Sequence, residues 1–169
     1  ATSVTGGRLI LDGGTNQISS TAGLTLSGTS SFQLGGTTAA NQTVTSLVGA
    51  TGNSIVGGNA SVSSLTVNQS TDTTYAGFIG GAGTNENNVA LVKTGVGTLT
   101  LTKAANPFTG GLTVRAGTLS NNGANANNTA FGAGTITLGD TSGTADASIY
   151  FFHSGNYANP ITVASGSSG

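Results

Sequence analysis

The sequence predicts an all-β chain wound as a right-handed parallel β-helix, a β-solenoid of about 22 residues per coil, and three observations carry that expectation. The first is a repeat: Gly13-Gly14, Gly35-Gly36, Gly57-Gly58 and Gly80-Gly81 are spaced by 22, 22 and 23 residues (35−13, 57−35, 80−57). The second is phase. Leu11, Leu34, Val56 and Ile79 sit just before the pairs, and a second apolar cluster falls midway at Leu24/Leu26, Val44/Leu47, Leu65/Val67 and Val89/Leu91. The third is composition: only 5% of the 169 residues are charged, against roughly a quarter in ordinary globular domains. Disorder would combine low hydrophobicity with high net charge. Here the net charge is −1 and small apolar strands recur throughout, so an ordered chain is expected.

Taken in order, Arg8 to Leu11 opens the first coil, and each later period holds two or three short strands. Glycine corners separate them, because glycine accepts positive φ without a Cβ penalty. The next pair, Gly110-Gly111, comes 30 residues after Gly80 (110−80). That predicts an extra loop of about eight residues (30−22), in Thr84 to Asn88 or Thr102 to Asn106. Strict alternation in Thr98 to Thr102 and in Leu112 to Val114 places Leu99, Leu101, Leu112 and Val114 inward. Thr98, Thr100, Thr102 and Thr113 then point outward. The phase fades through Asn121 to Asn128, and strands resume at Thr135 to Leu138, Ile149 to Phe152 and Ile161 to Val163. Dividing 169 by 22 gives seven or eight coils, a rod of about 35 Å at roughly 4.8 Å per coil. An antiparallel sandwich also accommodates short strands with glycine turns, but hairpins give no reason for a sustained period. The expectation is one array over residues 1–169, a processed subunit or an excerpt of a longer solenoid.

One stretch carries a more specific pattern: Leu91-x-Lys93-x-Gly95-x-Gly97-Thr98-Leu99-x-Leu101, then Phe108 before Thr109-Gly110-Gly111, then Val114-x-Ala116-Gly117-Thr118-Leu119. Residues 91–119 thereby resemble the passenger-associated repeat of bacterial autotransporters, the autotransporter-associated β-strand repeat. Two departures are a slightly longer loop at Lys103 to Pro107 and Leu112 in place of the usual threonine. Looser similarity covers Leu65 to Ser70 and Asn159 to Val163. The resemblance implies a secreted parallel β-solenoid, extracellular or on the bacterial cell surface, and names no ligand.

Several function classes are disfavoured. With four Lys and Arg in all there is no basic footprint for nucleic acid or anionic membranes. Cysteine is absent, which removes disulfides and thiolate metal sites. The longest apolar runs, Val89 to Val92 and Ile149 to Phe152, are far short of the roughly twenty residues that span a bilayer, so no membrane insertion is expected.

Catalytic candidates each have a plainer reading. His153, the one histidine, has no Ser-His-Asp order or His-Glu spacing to join. Asp140 and Asp146 bracket a segment that could hold calcium or hydrolyse a sugar bond, yet an aspartate beginning a glycine turn explains Asp140 as well. Gly80 to Asn85 echoes a calcium-binding nonapeptide but has Asn85 where aspartate is needed. The five acids, Asp12, Asp72, Glu86, Asp140 and Asp146, are scattered among coils. No catalytic residue, metal ligand or cofactor site is therefore expected, and the chain does not read as an enzyme.

Asn41-Gln42-Thr43, Asn59-Ala60-Ser61, Asn68-Gln69-Ser70 and Asn127-Asn128-Thr129 fit the glycosylation sequon, although so Asn-, Ser- and Thr-rich a chain yields such triplets by chance. Internal asparagine ladders are the expected use of some. Thr43-Val44-Thr45, Thr98-x-Thr100-x-Thr102 and Thr135-Ile136-Thr137 resemble ice-binding threonine arrays, but their positions in the period differ.

Two functions remain. The favoured one is structural: a non-catalytic cell-surface stalk or extracellular filament. Neither Ala1 to Gly7 nor Ile161 to Gly169 supplies a polar cap, so the terminal coils are expected to stack head to tail on further copies of the chain. The alternative is an adhesin whose Tyr75, Phe108, Tyr150 and Tyr157 contact glycans or a host surface, with core or corner stacking as the plainer use of those rings.

Overall fold

The computed structural model describes residues 1–122, 129–152 and 156–166. The first four coils each carry three strands. They are β1 (Thr2–Val4), β2 (Gly7–Leu11) and β3 (Gly14–Thr15); β4 (Leu24–Leu26), β5 (Ser30–Leu34) and β6 (Ala40–Val44); β7 (Leu47–Gly49), β8 (Ser54–Gly57) and β9 (Ser63–Asn68); and β10 (Thr73–Tyr75), β11 (Phe78–Ile79) and β12 (Val89–Thr94). Three further coils carry two each among the described residues: β13 (Thr98–Leu101) and β14 (Leu112–Val114), β15 (Gly117–Asn121) and β16 (Ile136–Leu138), β17 (Ala147–Phe151) and β18 (Ile161–Val163).

Stacking these coils makes three faces. The first runs β1-β4-β7-β10-β13-β15-β17, the second β2-β5-β8-β11, and the third β3-β6-β9-β12-β14-β16-β18. The ladders between these strands are parallel, for example β1 with β4, β5 with β8 and β9 with β12. No described residue is helical. The antiparallel sandwich is therefore wrong, and seven coils form a β-solenoid. Register partners such as Leu24 and Leu47, Ser31 and Ser54, or Asn41 and Ser64 are 23 residues apart (47−24, 54−31, 64−41), one more than the commonest glycine spacing.

Gly110-Gly111 does not continue the glycine series. Gly80 and Gly81 leave the second face after β11, whereas Gly110 and Gly111 lead into β14 on the third, with Gly110 N donating to Val89 O. The inserted residues lie between β11 and β12, where Ile79 to Val89 is ten residues (89−79) against eight between their register partners Ile55 and Ser63 (63−55). The loop thus falls at the first of the two expected places and adds two residues, not eight.

The alternation in the strands sets the core. Leu99, Leu101, Leu112 and Val114 are buried as expected, and Thr98, Thr100, Thr102 and Thr113 lie half-buried on the outer wall. Among the described residues no strand continues the second face beyond the fourth coil, where Pro107 and bulky rings replace alternating residues. Asn106 to Phe108, Ala130 to Gly132 and Tyr157 to Asn159 stack there as irregular chain, joined by Asn106 Nδ2 to Ala130 O at 2.8 Å, Ala133 N to Phe108 O at 2.9 Å and Asn159 Nδ2 to Gly132 O at 3.1 Å. Inside, Phe131, Phe151 and Tyr157 cluster with ring centroids 4.6–5.9 Å apart.

Two expectations about polar residues need correction. Amide side chains join coils chiefly through backbone and hydroxyl groups: buried Asn53 donates to Gly28 O and Ser30 Oγ of the coil before and accepts from Ala50 N, while one amide pair, Gln42 Nε2 to Asn16 Oδ1 at 3.4 Å, links two coils directly. Of the sequon residues, Asn41 Oδ1 accepts from Ser64 N and Ser64 Oγ, and Asn59 Nδ2 donates to Gly36 O and Thr37 O; Asn127 lies outside the described residues. The threonine triplets are also less scattered than their sequence positions imply. Register places Thr43, Thr66, Val92, Thr113, Thr137 and Thr162 in one outward column of the third face, while Thr98 and Thr100 belong to the first. Val92 interrupts the column.

The two ends differ, which the sequence does not disclose. At the N-terminal coil Val4 and Leu11 are only 8% and 5% exposed. At the last coil Ile161 and Val163, which continue the inward columns through Ile136 and Leu138, are 51% and 73% exposed.

Candidate functional site

The 80–88 insert folds back over the second face. Gly57 N donates to Glu86 O at 3.0 Å, and Gly57 must be bare for this: a Cβ there would lie 2.6 Å from Asn85 O. Between loop and sheet is an open groove of about 480 Å³, lined by Arg8, Ser54, Val56, Phe78, Glu86 and Pro107 among others. Its floor is the outward side of β8, and Phe78, projecting outward from β11, forms one wall.

Charge concentrates here. The chain has nine charged side chains (4 + 5), and three of them, Arg8, Glu86 and Lys103, meet at this groove or at its phenylalanine. Arg8 reaches along the stack, donating to Gln33 Oε1 at 2.9 Å and pairing with Glu86 Oε1 at 3.1 Å. The second carboxylate oxygen of Glu86 accepts from Gly83 N at 2.9 Å, so both the loop and the acid are fixed. Lys103 Nζ lies 3.8 Å from the centre of the Phe78 ring, a cation–π contact. Chemically the groove offers an apolar platform beside a neutralised ion pair with spare donors and acceptors. One carboxylate alone cannot supply the paired acid and base of glycoside hydrolysis.

The residues singled out from sequence fall elsewhere. Tyr75 and Phe108 are fully buried, contrary to the exposure an adhesive role requires; Tyr75 packs against Gly49, its OH donates to Phe78 O at 3.0 Å, and burial raises its phenol far above the usual range. Tyr157 is half-buried in the aromatic cluster, and Tyr150 is exposed beside Phe152 at 6.1 Å between ring centres. Asp140 Oδ1 accepts from Thr141 N, a local turn bond, while Asp146 is exposed. His153 lies outside the described residues. Among the described residues no three His, Asp or Glu side chains stand together. Asp12 secures a corner instead: Thr38 N and Thr37 Oγ1 donate to its carboxylate and hold it below its ordinary range.

Phe78 was legible only as an aromatic out of phase with inward Ile79. Arg8 and Glu86 are 78 residues apart, and no local signal joins them.

Residues 91–119 have their own centre, also missed. Lys93 continues the inward phase of Val89 and Leu91 and is fully buried. Its ammonium donates to Thr94 O at 2.8 Å, Gly95 O at 2.6 Å and Ala116 O at 3.2 Å, one N–H for each carbonyl of a corner that spans two coils. Burial lowers its pKa to about 8, against the carboxylate of Asp72, which favours the charge. Gly97 follows because a Cβ there would lie 2.5 Å from Thr71 O of the preceding coil. The spaced Lys and Gly residues are thus the parts of one tightly closed corner.

Comparison with curated proteins and with solved structures gave no match to either. Residues 91–120, the segment built around the Lys93 corner, match the passenger-associated-transport-repeat family, and the chain carries that repeat.

Proposed function

We propose that this chain is a non-catalytic, structural segment of an extracellular or cell-surface stalk or filament, extended by coil-on-coil stacking at its last coil. The passenger-associated transport repeat and the β-solenoid fold fit an autotransporter passenger-type domain, and that family supports a location outside the cell.

The observation that carries the stacking is Asn159. Along the solenoid, side-chain oxygens accept from backbone N–H groups of a neighbouring coil, and several of them reach the coil that follows: Asn16 from Thr43 at 2.8 Å, Asp72 from Thr98 at 2.7 Å, Asn121 from Phe152 at 2.9 Å. Asn159, in the seventh coil, has a buried Oδ1 with no partner, beside the exposed inward positions Ile161 and Val163. A stranded buried acceptor and uncovered apolar side chains are both relieved by an eighth coil. The N-terminal coil of a second copy, parallel in strand direction, supplies one by a contact that does not close on itself. Sedimentation velocity at rising concentration tests this. Growing species that Ile161→Lys abolishes are expected; a chain that stays monomeric at all concentrations contradicts self-stacking.

A second reading, an adhesin, draws support from the groove under the 80–88 loop and from exposed Tyr150 and Phe152. Here the solenoid is the support and its outer surface binds.

A further inference from the structure

We propose that the groove between the 80–88 loop and the outward side of β8 and β11 is a binding site for a neutral saccharide. This deepens the adhesin reading and rests on it. A sugar ring is amphipathic, with an apolar C–H face edged by hydroxyls that both donate and accept. The groove has the complementary order. Phe78 and Pro107 give apolar surface over buried Val56; Arg8, Glu86 and Ser54 give polar edges.

Lys103 stacks on Phe78 but does not line the groove, so the ring keeps another side turned to it. Arg8 spends two donations on Gln33 and Glu86, out of the roughly five N–H groups of a guanidinium. Each Glu86 oxygen takes one bond within the protein, from Arg8 or from Gly83 N, and a carboxylate accepts about four. Donors and acceptors are therefore fixed in place before a ligand arrives.

Charge and topology narrow the class. Arg8 and Glu86 neutralise one another at 3.1 Å, so the pair presents no net charge to favour an anion or a cation over a neutral ligand. A peptide adding itself as a strand needs a free sheet edge. The edge of β11 beside the groove is closed, since Ile79 N donates to Asn106 Oδ1 at 2.9 Å. The volume of about 480 Å³ lies within the range of small-ligand clefts and suits a unit of about one or two sugar rings.

The test titrates neutral oligosaccharides of glucose, galactose and N-acetylglucosamine, and an anionic oligosaccharide of glucuronic acid, into the intact chain by calorimetry. Phe78→Ala, Glu86→Gln, Tyr150→Ala and, as a control away from the groove and from Tyr150, exposed Val96→Ala are compared, each checked for an unchanged β-type circular dichroism spectrum. At least one neutral series is expected to bind. Phe78→Ala weakens it by about tenfold, Glu86→Gln by about threefold or more, and Val96→Ala leaves it unchanged. Should Phe78→Ala fail to fold, Glu86→Gln decides. Binding that Tyr150→Ala abolishes and the groove variants leave intact overturns the groove while the adhesin reading stands. Binding confined to anionic sugars overturns the neutral ligand, and no saccharide binding at all removes both.

Discussion

Leu101→Ala lowers the free energy of unfolding by about 2–5 kcal/mol in urea titration, while Thr100→Ala, one residue away, changes it by about a few tenths. The contrast follows from the stack. Leu101 is 1% exposed and sits in register between Tyr75 of the coil before and Asn121 of the coil after. The backbone ladders to both neighbours hold the coils apart at fixed spacing, so a cavity left by the isobutyl group cannot collapse and its cost is not relieved. Thr100 points outward between Thr74 and Ser120, where removal of a hydroxyl and a methyl exposes little. Equal losses at the two positions would mean that the inward and outward faces are reversed.

Lys93→Met destabilises by about 3 kcal/mol at neutral pH and removes a pH dependence that the parent chain shows. Methionine fills similar volume but strands the carbonyls of Thr94, Gly95 and Ala116, and buried unpaired acceptors cost about 1–3 kcal/mol each, with partial relief by relaxation. The sign of the pH effect follows from burial. The folded-state pKa of Lys93 is about 8 against 10.5 for the free side chain, so between these values the unfolded chain binds more protons than the folded one. Stability contributed by this group therefore rises with pH from about 8 to 10.5 and is level outside that window. Melting temperatures of parent and variant from pH 7 to 11 isolate it: their difference widens across the window. A difference constant with pH would show that the ammonium keeps its proton in the fold.

Much of the architecture was legible because it is periodic. Alternation in Thr98 to Leu101 and Leu112 to Val114 assigned each residue to a face, and the glycine spacing came within one residue of the coil length. What was hidden has a common cause in the third dimension of stacking. Gly110-Gly111 looks like its predecessors in sequence but opens β14 on a different face, which no local property of a Gly-Gly pair reveals. Tyr75 and Phe108, contact candidates in the adhesin alternative, take their plainer use as core rings, and the hidden part is where: each fills the interior at a position where the neighbouring coil offers a glycine, Gly49 and Gly132 respectively. Lys93 could have been found from its phase alone, because a charged residue in an inward register demands acceptors. The Arg8–Glu86 groove could not. Three coils and an insertion bring those residues together, and their pairing depends on how far the insertion reaches back across β8.

Spin labels placed along one outward column of the third face test the solenoid most directly. The chain has no cysteine, so paired Cys substitutions at Thr43 with Thr137, and at Thr43 with Thr162, carry labels at those positions only. Register puts these pairs four and five coils apart (43, 66, 92, 113, 137, 162). At roughly 4.8 Å per coil, double electron–electron resonance should give backbone separations of about 19 and 24 Å, growing with coil number and not with the chain length between labels. Distances that fail to grow from the first pair to the second, or that fold back to shorter values, would contradict parallel coil-on-coil stacking.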